Sequence, residues 1–285
     1  MMKKYNAEKI PLLPTLLTTG NLVCGFMAFI FAVNDAFRLI DVNGNQGTHL
    51  VPYLNSCYLI LLAMVFDMFD GIVARLTKTD GRFGVEYDSL ADVVSFGVAP
   101  AVLMYLAVLR YLGKFGWVPA AIFAFAGALR LARFNVTAQE GKGDSKYFSG
   151  LPVPAAASVL VSYVVFSQWF EVYYATGPRL FYDTVMGWYA ENITFFQHVA
   201  IPSIMIILAV LMISTVKFPS LKYYISKEKI RFVALAAAIA ALLILILTFE
   251  LTVFVLCTGY VLWGLLWAAV RFLKKKKPNM KQRGE

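Results

Sequence analysis

Four aspartates and an arginine stand in a stretch of chain that is otherwise apolar enough for lipid. It reads Asp67-Met-Phe-Asp70-Gly71-Ile-Val-Ala74-Arg75, then eight residues to Gly84, then Asp88 and Asp92 at steps of four. Ionised side chains inside apolar spans are costly and mark functional sites. Acids on adjoining segments repel one another unless cations sit among them. Carboxylates select hard, oxygen-seeking ions, and a magnesium-type ion commonly completes its shell with water and substrate phosphate. Two such ions would neutralise four acids, orient a pyrophosphate and stabilise its departing oxygen. Arg75 adds a planar fork suited to phosphate oxygens. Ion pairing of the acids with Arg75, Lys78 and Arg82 is the purely structural alternative, and it leaves three cations for four acids.

Helices would give this spacing a geometry. Asp67, Asp70, Gly71 and Ala74 follow the i, i+3, i+4, i+7 rule and share one face of a helix, while Gly84, Asp88 and Asp92 stack on another. The short basic connection 75–83 returns the chain antiparallel and brings the two acidic faces together. Gly71, Ala74 and Gly84 keep that face shallow enough for a ligand or a neighbouring backbone.

The elements that must carry these residues are membrane spans. Hydrophobic residues make up 60% of the 285 and charged residues 15%, far from the averages of water-soluble domains. Eight apolar runs are long enough to cross lipid, at about 11–34, 52–75, 86–109, 118–138, 151–170, 196–216, 231–248 and 250–272. The first follows Lys3, Lys4 and Lys9 as a signal peptide would, but it is too long for one and lacks a small-residue cleavage site, so it reads as a retained span. Alternate connections place 22 Lys and Arg on one side and four on the other. The positive-inside rule then puts both termini and the 75–84 loop in the cytoplasm, as for a prokaryotic cytoplasmic membrane. The net charge of +9 is thereby explained by topology and anionic lipid heads, with no nucleic-acid partner. The expected organisation is a cytoplasmic segment 1–10, a catalytic transmembrane core 11–216, two further spans in 217–272 and a basic tail 273–285.

Other candidates carry less. Cys24, Cys57 and Cys257 stand singly, without metal or disulfide spacing, and His49 and His198 lack partners at ligand spacing. The aromatic stretch from Trp169 to Tyr189 is expected to lie along the membrane interface.

The full pattern Asp-x2-Asp-Gly-x2-Ala-Arg-x8-Gly-x3-Asp-x3-Asp resembles that of the CDP-alcohol phosphotransferases, with every fixed position filled. The resemblance implies an all-α integral membrane enzyme that moves a phosphoryl-linked alcohol from a CDP donor to a second alcohol and releases CMP. It implies two divalent cations, Mg2+ or Mn2+, and commonly a homodimer. Carried over by position, Asp67, Asp70 and Asp88 become metal ligands, and Asp92 a ligand and the general base. Gly71, Ala74 and Gly84 would line the site of the CDP donor, and Arg75 would meet its phosphates. An alcohol drawn toward a metal is more acidic, so Asp92 need only take its proton as the oxygen attacks.

Three further blocks are similar to the phosphatidylserine synthase branch, which implies CDP-diacylglycerol and L-serine as substrates. They are Asp88-Ser-Leu-Ala-Asp92-Val-Val-Ser95-Phe-Gly97-Val-Ala-Pro100, Gly127-Ala-Leu-Arg130-Leu-Ala-Arg133-Phe-Asn135 and Gly150-Leu-Pro152-Val-Pro154. The likeness covers roughly 10–165, and Thr15 stands where that branch leads one to expect Asn. Serine is a zwitterion whose carboxylate needs a fixed cation. Arg130 and Arg133, with Asn135 beyond them, could supply it, or the two arginines could simply snorkel to the interface. Thr18 and Asn21 could face the donor nucleotide or satisfy a neighbouring helix. Competing readings are a related enzyme with glycerol 3-phosphate or an inositol-type acceptor, whose phosphate would want a larger basic cluster, and a cation transporter, which would need polar residues continuing across the membrane.

Overall fold

Inside lipid no water is available to pair with backbone N–H and C=O groups, so each long apolar run has to satisfy them within itself as a helix. The computed structural model, which describes residues 11–39, 52–77, 81–139, 147–176, 187, 191–219 and 249–275, has that form. Helix α1 spans Leu12–Leu39 and α2 Leu54–Thr77. The third crossing is interrupted: α3, Arg82–Asp92, runs into a π-helical turn, Val93–Val98, and continues as α4, Ala99–Ala107. A 3-10 segment, Leu109–Phe115, leads to α5, Trp117–Gln139, and α6 is Val153–Thr176. Another π-helical turn, Phe196–Ala200, opens α7, Ile201–Ile213, and the C-terminal helix α8 is Phe249–Lys275.

Six of these crossings have the length and hydropathy to traverse a membrane, and α8 contains a shorter apolar stretch, Thr252–Ala268. The chain is therefore an all-helical integral membrane protein. The expected total of eight spans is not reached among the described residues, since the run at 231–248 lies outside them. Outward-facing Leu16, Phe26, Phe125, Leu129, Ile207 and Val210 give the bundle a lipid-compatible surface.

Both π-helical turns end two residues before a proline, Pro100 in one case and Pro202 in the other. Proline has no N–H to return to the carbonyl four residues back, and its ring crowds that carbonyl. Widening the preceding turn relieves the conflict. After the first widened turn, the Ala99 N–H pairs with the Val94 carbonyl, five residues back.

The core runs through the middle of the bundle, where Ile60, Phe96, Leu103, Met104, Phe123 and Leu160 are fully buried. Helix α1 packs along α2 and against the broken third crossing, α5 against α7, and α6 against α8. Phe166 and Phe254 stack with ring centroids 4.9 Å apart, tying α8 to the rest. Among the described residues a strand pair departs from the helical expectation: β1, Tyr147–Ser149, pairs antiparallel with β2, Lys217–Pro219. It sits where α6 begins and α7 ends. Gly150, at φ +80°, turns the chain out of β1, and its N–H donates to the Val216 carbonyl at 2.8 Å. At the opposite end of the bundle, Asp35 of α1 accepts the Tyr53 N–H at 3.0 Å and so starts α2.

Candidate active site

The antiparallel return of α2 into α3 does what the spacing predicts. Asp67 and Asp70 from α2 and Asp88 from α3 each bring a carboxylate oxygen to within 4.8 Å of the others. Asp70 is 5% exposed, and the Oδ1 atom of Asp88 is buried without a hydrogen-bond partner among the described residues. Two ionised carboxylates at this separation repel by roughly 3.5 kcal/mol in a medium of effective dielectric constant about 20. A cluster of three with an unpaired buried oxygen fits a hard divalent cation, which takes oxygen ligands and offsets that repulsion.

Beside the cluster a cavity of about 190 Å³ opens. Asp70, Gly71, Ala74 and Arg75 line it from α2, and Gly84 and Asp88 from α3. Pro14, Thr15 and Thr18 of α1 form its third wall. The small residues at 71, 74 and 84 keep its lining shallow, and a Cβ at Gly84 would meet nothing within 4 Å. Lys78, one of the cations of the ion-pair alternative, lies outside the described residues.

Helix α1 supports the acids. The Thr18 hydroxyl lies 2.8 Å from Asp70 Oδ2, and Asn21 Nδ2 donates to Asp92 Oδ1 at 3.1 Å. Of the two readings of these residues, satisfaction of a neighbouring helix is the one this geometry displays, although Thr18 also lines the cavity. Thr15, at the position where Asn was expected, donates its hydroxyl to the Pro11 carbonyl at 2.7 Å. Asp92 lies one helical turn beyond Asp88, is 7% exposed, and is not part of the three-acid cluster.

The expected serine-binding residues separate. Arg130 is buried, 7% exposed, and its Nε has no partner among the described residues. Arg133, by contrast, is spent on backbone. Its guanidinium donates to the carbonyls of Ile213, Met212 (3.3 Å) and Ser214 (3.0 Å) at the end of α7, and to that of Ser149 (3.4 Å) in β1. A cation at a helix C-terminus meets carbonyls that have no partner within the helix. Asn135 donates to Glu86 Oε2 at 3.2 Å and sits 3.0 Å from Ser89 Oγ, joining α5 to α3.

Sequence reasoning passed over Ser89, Glu86 and Ser95 as contributors. Ser95 Oγ donates to the Asn21 carbonyl at 3.0 Å, behind Asp92. A small polar residue three positions past an acid, in a run that packs against another helix, was the available signal.

A profile of the CDP-alcohol phosphatidyltransferase family matches residues 11–196. The chain belongs to this family. The match takes in both acidic helices, the cavity, Arg130 and Arg133, and stops before α7 and α8. Among curated relatives, a CDP-diacylglycerol--serine O-phosphatidyltransferase of Helicobacter pylori is 32% identical over 211 residues, 74% of this chain and 73% of the relative. One of the same name from Methanocaldococcus jannaschii is 47% identical over 114 residues, 40% of this chain and 52% of the relative. An archaetidylserine synthase of Methanothermobacter thermautotrophicus is 33% identical over 226 residues, 77% of this chain and 74% of the relative.

Proposed function

We propose that the protein transfers the phosphatidyl group of CDP-diacylglycerol to the hydroxyl of L-serine and releases CMP. The observation that carries this reading is the convergence of Asp67, Asp70 and Asp88 on one point beside a cavity that Arg75 helps to line. The names of the relatives, two of them serine phosphatidyltransferases and one an archaetidylserine synthase, support serine as the acceptor.

The three acids would hold the divalent cations, two ions of Mg2+ or Mn2+, with Asp92 as a further ligand. Bound there, such ions would neutralise a pyrophosphate and ease departure of its leaving oxygen. The rest is work for the chain. Gly71, Ala74 and Gly84 leave room for the nucleotide end of the donor, with Thr18 at the wall. Arg75 grips the diphosphate bidentately. Asn21 acts on the site through Asp92, to which its amide donates. The serine Oγ attacks the phosphorus carrying the diacylglycerol, the bond from that phosphorus to CMP breaks, and Asp92 takes the hydroxyl proton. Holding both reactants in line accounts for much of such a reaction, which asks little covalent chemistry of the protein.

Arg130 meets the serine carboxylate. Engagement of Arg133 by backbone carbonyls leaves α5 with one buried arginine for the acceptor, which suits a carboxylate better than a phosphate dianion. Asn135 then acts by keeping α3 against α5. The acidic end of the bundle and both termini face the cytoplasm on the positive-inside argument, residues 11–216 form the catalytic core, and the active unit is a homodimer.

The test is CMP release by purified protein given CDP-diacylglycerol and Mn2+ with a panel of acceptors. Release that depends on L-serine is expected. Release with glycerol 3-phosphate or an inositol phosphate but not with serine would overturn the acceptor assignment.

A further inference from the structure

Asp92 is held differently from the other acids, and the device that holds it involves residues with no place in the motif. A carboxylate only accepts hydrogen bonds, so the Asn21 amide must turn its nitrogen toward Asp92 Oδ1. Asn21 is fully buried, and its own carbonyl oxygen Oδ1 has no partner among the described residues. An apolar side chain of similar shape would avoid leaving that oxygen unpaired, a cost that counts against a role in packing alone. The main chain of Asn21 is fixed in turn by the hydroxyl of Ser95, itself fully buried on the widened turn that follows Asp92. The two segments touch at Gly25, one helical turn beyond Asn21. A Cβ there would lie 2.2 Å from Ser95 Oγ and 2.6 Å from Ser95 Cα, so only glycine allows the approach.

We propose that Asn21 is a positioning residue for the general base: clamped by Ser95 across the Gly25 contact, it holds one Asp92 oxygen and leaves the other aimed at the acceptor hydroxyl. The inference rests on the assignment of Asp92 as base made above. An unanchored carboxylate rotates about its terminal torsion, whereas a general base works only within hydrogen-bond reach of the proton it takes.

The experiment uses the full chain in detergent or nanodiscs with CDP-diacylglycerol, Mn2+ and L-serine, and compares Asn21→Leu, Ser95→Ala and Asp92→Asn. Donor affinity is measured by calorimetry and fold by thermal melting. Asn21→Leu is expected to lower kcat by about 10- to 100-fold, the range for losing a hydrogen bond to a charged group, with both KM values and donor affinity within about twofold of the parent. Ser95→Ala should move kcat in the same direction by less. In the Asp92→Asn background, Asn21→Leu should remove nothing further from the residual single-turnover rate. Three results would overturn the proposal: an equal loss in both backgrounds, an effect carried by KM or donor affinity, or a lowered melting temperature with kcat intact. Should Asn21→Leu not fold, Ser95→Ala decides by the same split, and an unchanged kcat there defeats the idea. Parent protein that releases no CMP with serine would instead defeat the functional reading itself.

Discussion

Replacing Arg133 by alanine separates two uses of one residue. From sequence, Arg133 pairs with Arg130 as a candidate for the acceptor carboxylate. In the structure its guanidinium joins α5, the end of α7 and β1 through four carbonyl oxygens. A hydrogen bond from a charged donor contributes about 1.5–3 kcal/mol when well made. The contacts to Met212 and Ser149 are long, and those to Ile213 and Ser149 are exposed, so the full value cannot be summed over four. The part-buried contact to Ser214 at 3.0 Å, with a favourable charge at the helix terminus of about 0.3–1 kcal/mol, suggests a total near 2–4 kcal/mol.

Arg133→Ala should therefore lower the melting temperature in detergent by about 4 °C or more, scaling from domains of 150–250 residues. Arg133→Lys, with a point charge in place of a fork, should recover part of that loss. The serine KM of folded Arg133→Ala should stay within about threefold of the parent, while Arg130→Ala should raise it at least tenfold. Paired melting curves and steady-state serine titrations measure both. An unchanged melting temperature with a tenfold rise in serine KM for Arg133→Ala would refute the reasoning and return Arg133 to the acceptor site.

Asp88→Asn should abolish or weaken Mn2+ binding at least tenfold, read by calorimetry or by the free-Mn2+ electron paramagnetic resonance signal. Thr18→Val removes the hydroxyl beside Asp70 and should cost about 10-fold in Mn2+ affinity, the usual lower bound for losing the partner of a ligating group. Chelation should stop CMP release, and added Mn2+ or Mg2+ should restore it. Asp35→Ala leaves the buried Tyr53 N–H unpaired at the far end of the bundle and should destabilise by about 1–3 kcal/mol with kcat and both KM values unchanged.

The acids were legible because two independent regularities agree on them. Helical spacing puts Asp67 and Asp70 on one face and Asp88 and Asp92 on another, and the short connection 75–83 forces those faces together. The structure brings three of the four within reach of one point. Helix positions followed from hydropathy for the same reason, since an apolar run in lipid has no other way to pair its backbone. The short β1–β2 pair was not legible: its partners lie some seventy residues apart, and three-residue strands leave no alternation to detect. The hydrogen-bond partners of Arg133 and Asn135 were not legible for a related reason. The types of these two residues suit a carboxylate ligand, but their partners are carbonyls and polar groups supplied by α7, β1 and α3, and no local spacing reveals a partner of that kind.

The third crossing explains why Asp92 stands apart from its companions. Gly84, Asp88 and Asp92 keep a regular helical stagger, so Asp92 is carried about 6 Å, a little over one turn, deeper than Asp88. Immediately afterwards Pro100 widens the winding at Val93–Val98, and the axis of α4 need not continue the line that α3 sets. The wide turn delivers Ser95 against Gly25 of α1, which places Asn21 at the level of Asp92 while Thr18, one turn earlier on the same helix, meets Asp70. One face of α1 thus matches its polar residues, at a spacing of three, to acids at two depths. If that matching serves the chemistry, exchanging Thr18 and Asn21 should damage both functions at once: Thr18→Asn with Asn21→Thr should lose Mn2+ affinity and kcat together. Retention of either at the parental level would show that the corresponding hydrogen bond is incidental.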